Sequence, residues 1–207
     1  MKNQLSANAA FGFFIGLIML FNCNEKKSNV SKLDVNDNSS EKSDFNGFET
    51  QIKLGEHLVI IGGCHDCHTP KKMSNHGPVL DSAKWLSGHP SEMPLIDINR
   101  KGIEGKGLVV ASDLTEWIGP WGISFTANLT PDPTGIGSWN EEQFIYCLRK
   151  GKLKGLEGSR SLLPQMPWEM IGQMTDYELK AMFAYLKSIK PINNLVPAPI
   201  PPVSMAN

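Results

Sequence analysis

Cysteine is scarce in this chain, with 4 among 207 residues, and the positions do not read as a disulfide framework. Cys23 closes an apolar N-terminal segment, Cys147 stands alone in a helical pattern as a small buried hydrophobe would, and only Cys64 and Cys67 are neighbours. A second Cys-x-x-Cys pair is missing, and His57, His76 and His89 stand singly, so a zinc site would be short of its four ligands. Charge of one sign is also lacking. A formal net charge of -1 supplies neither a strong steering field nor the basic surface that nucleic acid requires. Long hydrophobic runs are absent too: Ala9 to Phe21 is about 13 residues, too short to span a bilayer.

What is present is the run Cys64-His65-Asp66-Cys67-His68. Two thiols three positions apart, with a histidine directly after the second, form the attachment signature of a c-type haem. On one helical turn the sulfurs share a side and can form thioethers to the two vinyl groups of one porphyrin, while His68 is aimed at the iron. A thioredoxin-like dithiol would sit near a strand-helix-strand pattern and does not call for that histidine.

The ends of the chain differ from its middle. Lys2 followed by Ala9 to Phe21 reads as the charged and apolar regions of an export signal, and Leu20-Phe21-Asn22-Cys23 resembles a bacterial lipobox with Cys23 as the lipidated residue. The expected organisation is a lipoprotein signal over residues 1–22, a flexible tether over 23–48, a cytochrome c domain over 49–193 and a Pro-rich tail over 194–207. The tether follows from Ser, Asn, Lys, Asp and Glu with few apolar residues, a composition unable to bury a core of its own. Pro191, Pro197, Pro199, Pro201 and Pro202 exclude helix at the other end. An exported, membrane-anchored protein facing the periplasm or cell surface agrees with covalent haem, which bacteria attach outside the cytoplasm.

Three helices are predicted between those ends. Thr50 to Ile61 carries Leu54, Leu58 and Ile61 at helical spacing and stops at Gly62-Gly63. Asn140 with Gln143 reads as a capped start, Trp139 and Phe144 as its staple, and Gly151 as the stop. Thr175 with Glu178 opens the last helix, whose stripe runs through Leu179, Met182, Phe183, Leu186 and Ile189. The fold class expected is mostly α: a cytochrome c-like helical domain around one covalent haem. Residues 70–133 exceed what such a domain needs and read as loops with one or two short strands, near Gly107 to Ala111 and Gly122 to Thr126. Lys71, Lys72 and Lys84 offer a modest positive face beside the motif.

His68 fills one face of an iron, so a second ligand is sought. A methionine thioether suits iron in an electron-transfer site and raises its potential. Among the 9 methionines, Met166 stands in Leu163-Pro164-Gln165-Met166-Pro167-Trp168, an extended, proline-stiffened segment between helices with an indole to cover the cofactor edge. Met93, also followed by proline, and a histidine or open position are the alternatives.

The motifs taken together resemble class I c-type cytochromes: Cys64 to Pro70, Asn128-Leu129-Thr130-Pro131-Asp132, Thr134 to Gly137 with Trp139, Met166-Pro167-Trp168, and Thr175 to Ser188. They are most similar to the modules in cytochrome subunits of membrane-bound alcohol, aldehyde and sugar-acid dehydrogenases, over about Thr50 to Pro197. The resemblance implies Met166 as the distal ligand and residues 128–137 near the haem. The single haem motif departs from the multi-haem subunits. Two functions stand at this point. One is an electron carrier between a dehydrogenase or other redox partner and a terminal acceptor, without catalysis of its own. The other is a haem sensor or ligand-reactive haem protein with an open distal site.

Overall fold

A computed structural model of the chain describes residues 45–203. The export signal, Cys23 and the tether up to residue 44 lie outside them. Thr50 caps the first helix, α1 (Gln51–Ile61), by accepting the Lys53 N–H at 3.2 Å. After Gly62 and the left-handed Gly63, the haem motif is itself one short helix, α2 (Cys64–His68). A turn of helix, α3 (Arg100–Ile103), lies in the long segment that follows. Capping boxes open both α4 (Glu141–Lys150) and α6 (Asp176–Ser188), and the single-turn α5 (Trp168–Ile171) lies between them. Among the described residues no helix is long and apolar enough to cross a membrane.

The helices meet because each carries one apolar face. Leu54, Leu58 and Val59 of α1, Phe144 and Leu148 of α4, and Leu179, Met182 and Leu186 of α6 form one core cluster. Where α1 crosses α6, Gly55 is required: a Cβ there would fall 1.9 Å from the Ala181 carbonyl oxygen and 2.9 Å from Cβ of Tyr185. Substituting leucine at Gly55 would force the two helices apart. Overpacking of this kind costs about 1–3 kcal/mol or more, so Gly55→Leu is expected to lower the thermal midpoint by many degrees, read by circular dichroism.

The segment between α2 and α4 holds more strand than its sequence indicates. Its first part is a hairpin of β1 (Lys71–Ser74) and β2 (Gly77–Leu80), paired antiparallel with Lys71 opposite Leu80. Its second is a sheet of β3 (Val109–Val110), β4 (Glu116–Gly119) and β5 (Gly122–Phe125), antiparallel and in that order. β3 and β5 lie in the two runs expected to hold strand, whereas β1, β2 and β4 fall outside them. The reason is composition: β1 begins with two lysines, and β4 buries Glu116, Ile118 and Gly119 without clean alternation.

The described parts of both outer segments, residues 45–48 and 194–203, lie on this domain. Phe45 stacks on Tyr177 with ring centroids 6.2 Å apart, and Phe48 tilts over His57 at 4.9 Å, so the last residues of the expected tether are packed. The Pro-rich tail adds to the sheet, Ile123 and Ile200 exchanging backbone hydrogen bonds of 2.8 and 3.0 Å. Gly122, at φ +92, makes room: a Cβ there would meet the Ile200 carbonyl oxygen at 2.0 Å.

Candidate haem site

His68 is 9% exposed and its ring is fixed from behind. Nδ1 lies 2.7 Å from the Ala127 carbonyl oxygen, and because a carbonyl only accepts, Nδ1 carries the proton and donates it. The other nitrogen, Nε2, is then a bare lone pair without a hydrogen-bond partner in the protein. Burial also pushes the imidazole pKa down, which keeps it neutral and able to bind metal. A ring nitrogen tied to a carbonyl with the opposite one free is the arrangement metal-ligating histidines adopt.

Two neighbouring stretches build the support for that ring. The segment 86–89 runs beside 126–129: His89 N–H donates to the Thr126 carbonyl at 3.0 Å, and Leu129 N–H to the Leu86 carbonyl at 2.9 Å. Gly88 N–H reaches the His68 carbonyl at 2.8 Å, while the Thr69 hydroxyl accepts the Leu86 N–H at 2.9 Å. Gly88 must be glycine, with φ +77 and only 2.5 Å between the place of a Cβ and the Ala127 carbonyl carbon. Buried amides lock this frame to the tail. Asn194 Nδ2 donates to the Ser87 and His89 carbonyls, both at 2.8 Å, and Asn128 Nδ2 donates to the Ile192 carbonyl at 2.9 Å.

Cys64 and Cys67 stand one turn apart on α2, both partly buried and both free thiols. Burial pushes the Cys64 pKa up to about 11 and raises that of Cys67 as well. The thiols are therefore neutral at pH 7, and oxidation through a thiolate is suppressed. Among the described residues no group of three or more His, Cys, Asp or Glu side chains is placed to hold a metal ion, the set zinc would need.

Met166 is half-buried and packs against the same core as Cys64, Leu129, Trp139 and Met174. Its segment is held by its own backbone, Trp168 N–H donating to the Met166 carbonyl at 2.9 Å. The Trp168 indole lies over Gly151, whose Cβ would fall 2.4 Å from the ring. Two free thiols and a tautomer-fixed imidazole on α2, with Cys64, Leu129, Trp139 and Met166 only partly buried on the core, are a donor set that fits a haem group.

The lysines beside the motif do not form a free positive face. Lys71 donates to the carbonyls of Asp66 and Asp113, Lys84 pairs with Glu92 at 2.9 Å, and Lys72 lies 3.9 Å from Asp81. What sequence reasoning missed is the backing of His68. Ala127 acts through its main chain, and a carbonyl has no side-chain signature; Asn128, immediately after it, was the one nearby signal.

Known proteins point in the same direction. The chain is similar to cytochrome subunits of dehydrogenases. It is 26% identical over 157 residues to the fructose dehydrogenase cytochrome subunit of Gluconobacter japonicus, covering 74% of this chain and 24% of that protein. Similarity to the gluconate 2-dehydrogenase cytochrome c subunit of Pantoea cypripedii is 27% over 135 residues, 65% of this chain and 22% of the relative. With the cytochrome c subunit of the quinone alcohol dehydrogenase of Gluconacetobacter polyoxogenes it is 37% over 75 residues, 35% and 15% of the two chains. The matched part thus spans about a quarter or less of each of these relatives. No protein-family model matches the chain. The relatives are named as cytochrome subunits, which agrees with electron transfer rather than substrate catalysis.

Proposed function

We propose that this protein is a monohaem c-type cytochrome, carrying electrons from a dehydrogenase or other redox partner to a terminal acceptor without catalysing a reaction of its own. The observation that carries the reading is the hydrogen bond from His68 Nδ1 to Ala127, which leaves Nε2 bare on the same short helix as two free thiols. Haem c would supply a one-electron iron couple. Cys64 and Cys67 would hold it through thioethers, and His68 through Nε2 and Met166 through sulfur would be its iron ligands. The Ala127 carbonyl keeps the His68 ring in one orientation, so little reorganisation accompanies electron transfer. A thioether from Met166 would keep water and small ligands off the iron.

The protein's place follows from its N-terminal sequence. Lipidation at Cys23 would anchor an exported domain to a membrane facing the periplasm or cell surface, with the tether letting it meet its partner. Cys23→Ser is expected to move the protein from the membrane fraction to the soluble periplasmic or secreted fraction, and mass spectrometry of the mature N-terminus reads the site. A mature chain beginning downstream of Cys23 would defeat the anchor and leave export intact.

The electron-carrier reading is tested on the purified full-length protein. The expected result is one haem per chain that stays with the polypeptide after acid-organic extraction, and a reduced form that resists carbon monoxide. Rapid carbon monoxide binding would replace the carrier reading with that of a haem sensor having an open distal site. Stoichiometric zinc without haem would overturn both.

A further inference from the structure

The inserted segment between the haem motif and Ala127 contains a buried polar relay that the proposed chemistry does not use. Asp113, Thr115 and His89 are all buried, His89 and Thr115 completely. The Asp113 carboxylate accepts the Thr115 hydroxyl proton at 2.7 Å through Oδ2 and the Thr115 N–H at 3.1 Å through Oδ1. With its only proton committed to Asp113, Thr115 Oγ1 can only accept from the imidazole 2.9 Å away, so His89 donates through Nδ1–H. The His89 ring also tilts against Phe125 of β5 at 4.7 Å between centroids. Its Nε2 and the nearby-in-chain pairing residue's hydroxyl, Thr126 Oγ1, are buried without hydrogen-bond partners.

This relay ends on the frame that holds His68. Main-chain N–H of His89 donates to the Thr126 carbonyl, and N–H of Gly88 donates to the carbonyl of His68 itself. The next carbonyl after Thr126 is that of Ala127, the acceptor for His68 Nδ1. One short segment therefore grips the backbone of His68 and the stretch after β5 that bears its hydrogen-bond acceptor, while the His89 side chain is tied to the insertion.

We propose that His89 is a positioning residue through which the insertion sets the strength of the His68–Ala127 hydrogen bond, and with it the electron affinity of the iron. The inference rests on the haem reading above. A strong Nδ1–H···O=C bond makes the imidazole more electron-rich and favours ferric iron, so loosening it favours ferrous iron. The relay needs a hydroxyl at Thr115. A valine of the same shape would remove it, and a serine would keep it.

The test is the midpoint potential of the purified haem-bearing protein, with absorption spectra to verify that both axial ligands remain. Thr115→Val is expected to bias the iron about tenfold toward the ferrous state, a rise of about 59 mV for one electron. His89→Phe should act in the same direction, and Thr115→Ser should keep the parent potential. Faster solvent exchange of the His68 Nδ1 proton, followed by NMR, should accompany the shift in Thr115→Val. A Thr115→Val protein with lowered thermal stability but the parent potential and exchange rate overturns the inference, giving the relay a structural role only. Should His89→Phe fail to fold, Thr115→Val and Thr115→Ser decide the matter. A parent protein without haem overturns the haem reading itself, an outcome distinct from a haem protein whose potential ignores the relay.

Discussion

Replacing both Cys64 and Cys67 with alanine is expected to yield a protein from which all haem is removed by acid-organic extraction, whereas the parent keeps its colour in the polypeptide. The two sulfurs lie on one turn of α2, free of disulfides and without partner ligands for zinc among the described residues. The effect should reach beyond colour. Leu129, Trp139, Met166 and Met174 are only partly buried against the core, and a cofactor that covers them contributes to folding. At about 25 cal/mol per Å² of apolar area, loss of that cover should lower the thermal midpoint substantially. Single variants are expected to be intermediate, with one thioether left to hold the group. Haem staining of denaturing gels separates the three cases, and covalent haem surviving in the double variant would refute attachment at these positions.

Met166→Ala is the second substitution with a large expected effect. With a thioether on the iron, the oxidised parent should show a weak near-infrared sulfur-to-iron charge-transfer band and its reduced form should bind carbon monoxide reluctantly. The variant should lose the band, bind carbon monoxide readily, and fall in potential because the ligand favouring ferrous iron is gone. The fold itself should survive, since Met166 lies on a loop tied by its own backbone to the start of α5 and is only half-buried. If the band is absent from the unmutated protein, a different group or an open position faces the iron, with Met93 the next methionine to test. His68→Ala is expected to be more damaging, because it removes both the histidine ligand of the proposed site and the part-buried hydrogen bond to the Ala127 carbonyl.

These two experiments and the relay variants address different depths of the same site. The cysteine variants test whether haem is held, Met166→Ala tests whether the iron is closed to small ligands, and the Thr115 and His89 variants test how the iron is tuned. The relay variants leave every proposed ligand in place. A shift confined to potential would therefore separate tuning from attachment.

The three main helices could be read along the chain because their signals are local. Thr50, Asn140 and Thr175 each accept an N–H three residues ahead, and the two capping boxes are complete in the structure. Gly151 ends α4 in the left-handed conformation that its place after Lys150 indicates. Apolar spacing then named most of the side chains that form the core, Leu54, Leu58, Phe144, Leu148, Leu179, Met182 and Leu186 among them, but not Ile61, which is exposed at the end of α1. The Cys64, Cys67 and His68 pattern is likewise local, since haem attachment calls for particular residue types at fixed short spacing. Cys147, assigned as a small hydrophobe, is buried.

Residues 70–133 were much less readable, because their strands are short and their partners distant or unpatterned. The three lysines beside the motif illustrate the limit: a lysine exposed by composition becomes paired only when the fold brings Asp113, Glu92 or Asp81 to it. Local sequence was sufficient for the helix ends and most of the core stripes, since each depends on groups a few positions apart. Tertiary structure alone supplied the Ala127 carbonyl behind His68, 59 residues away, the Asn194 clasp on residues 87 and 89, and the Asp113–Thr115–His89 relay. Those contacts join main-chain groups and short polar side chains across long loops, where no periodicity in the chain marks which donor will meet which acceptor.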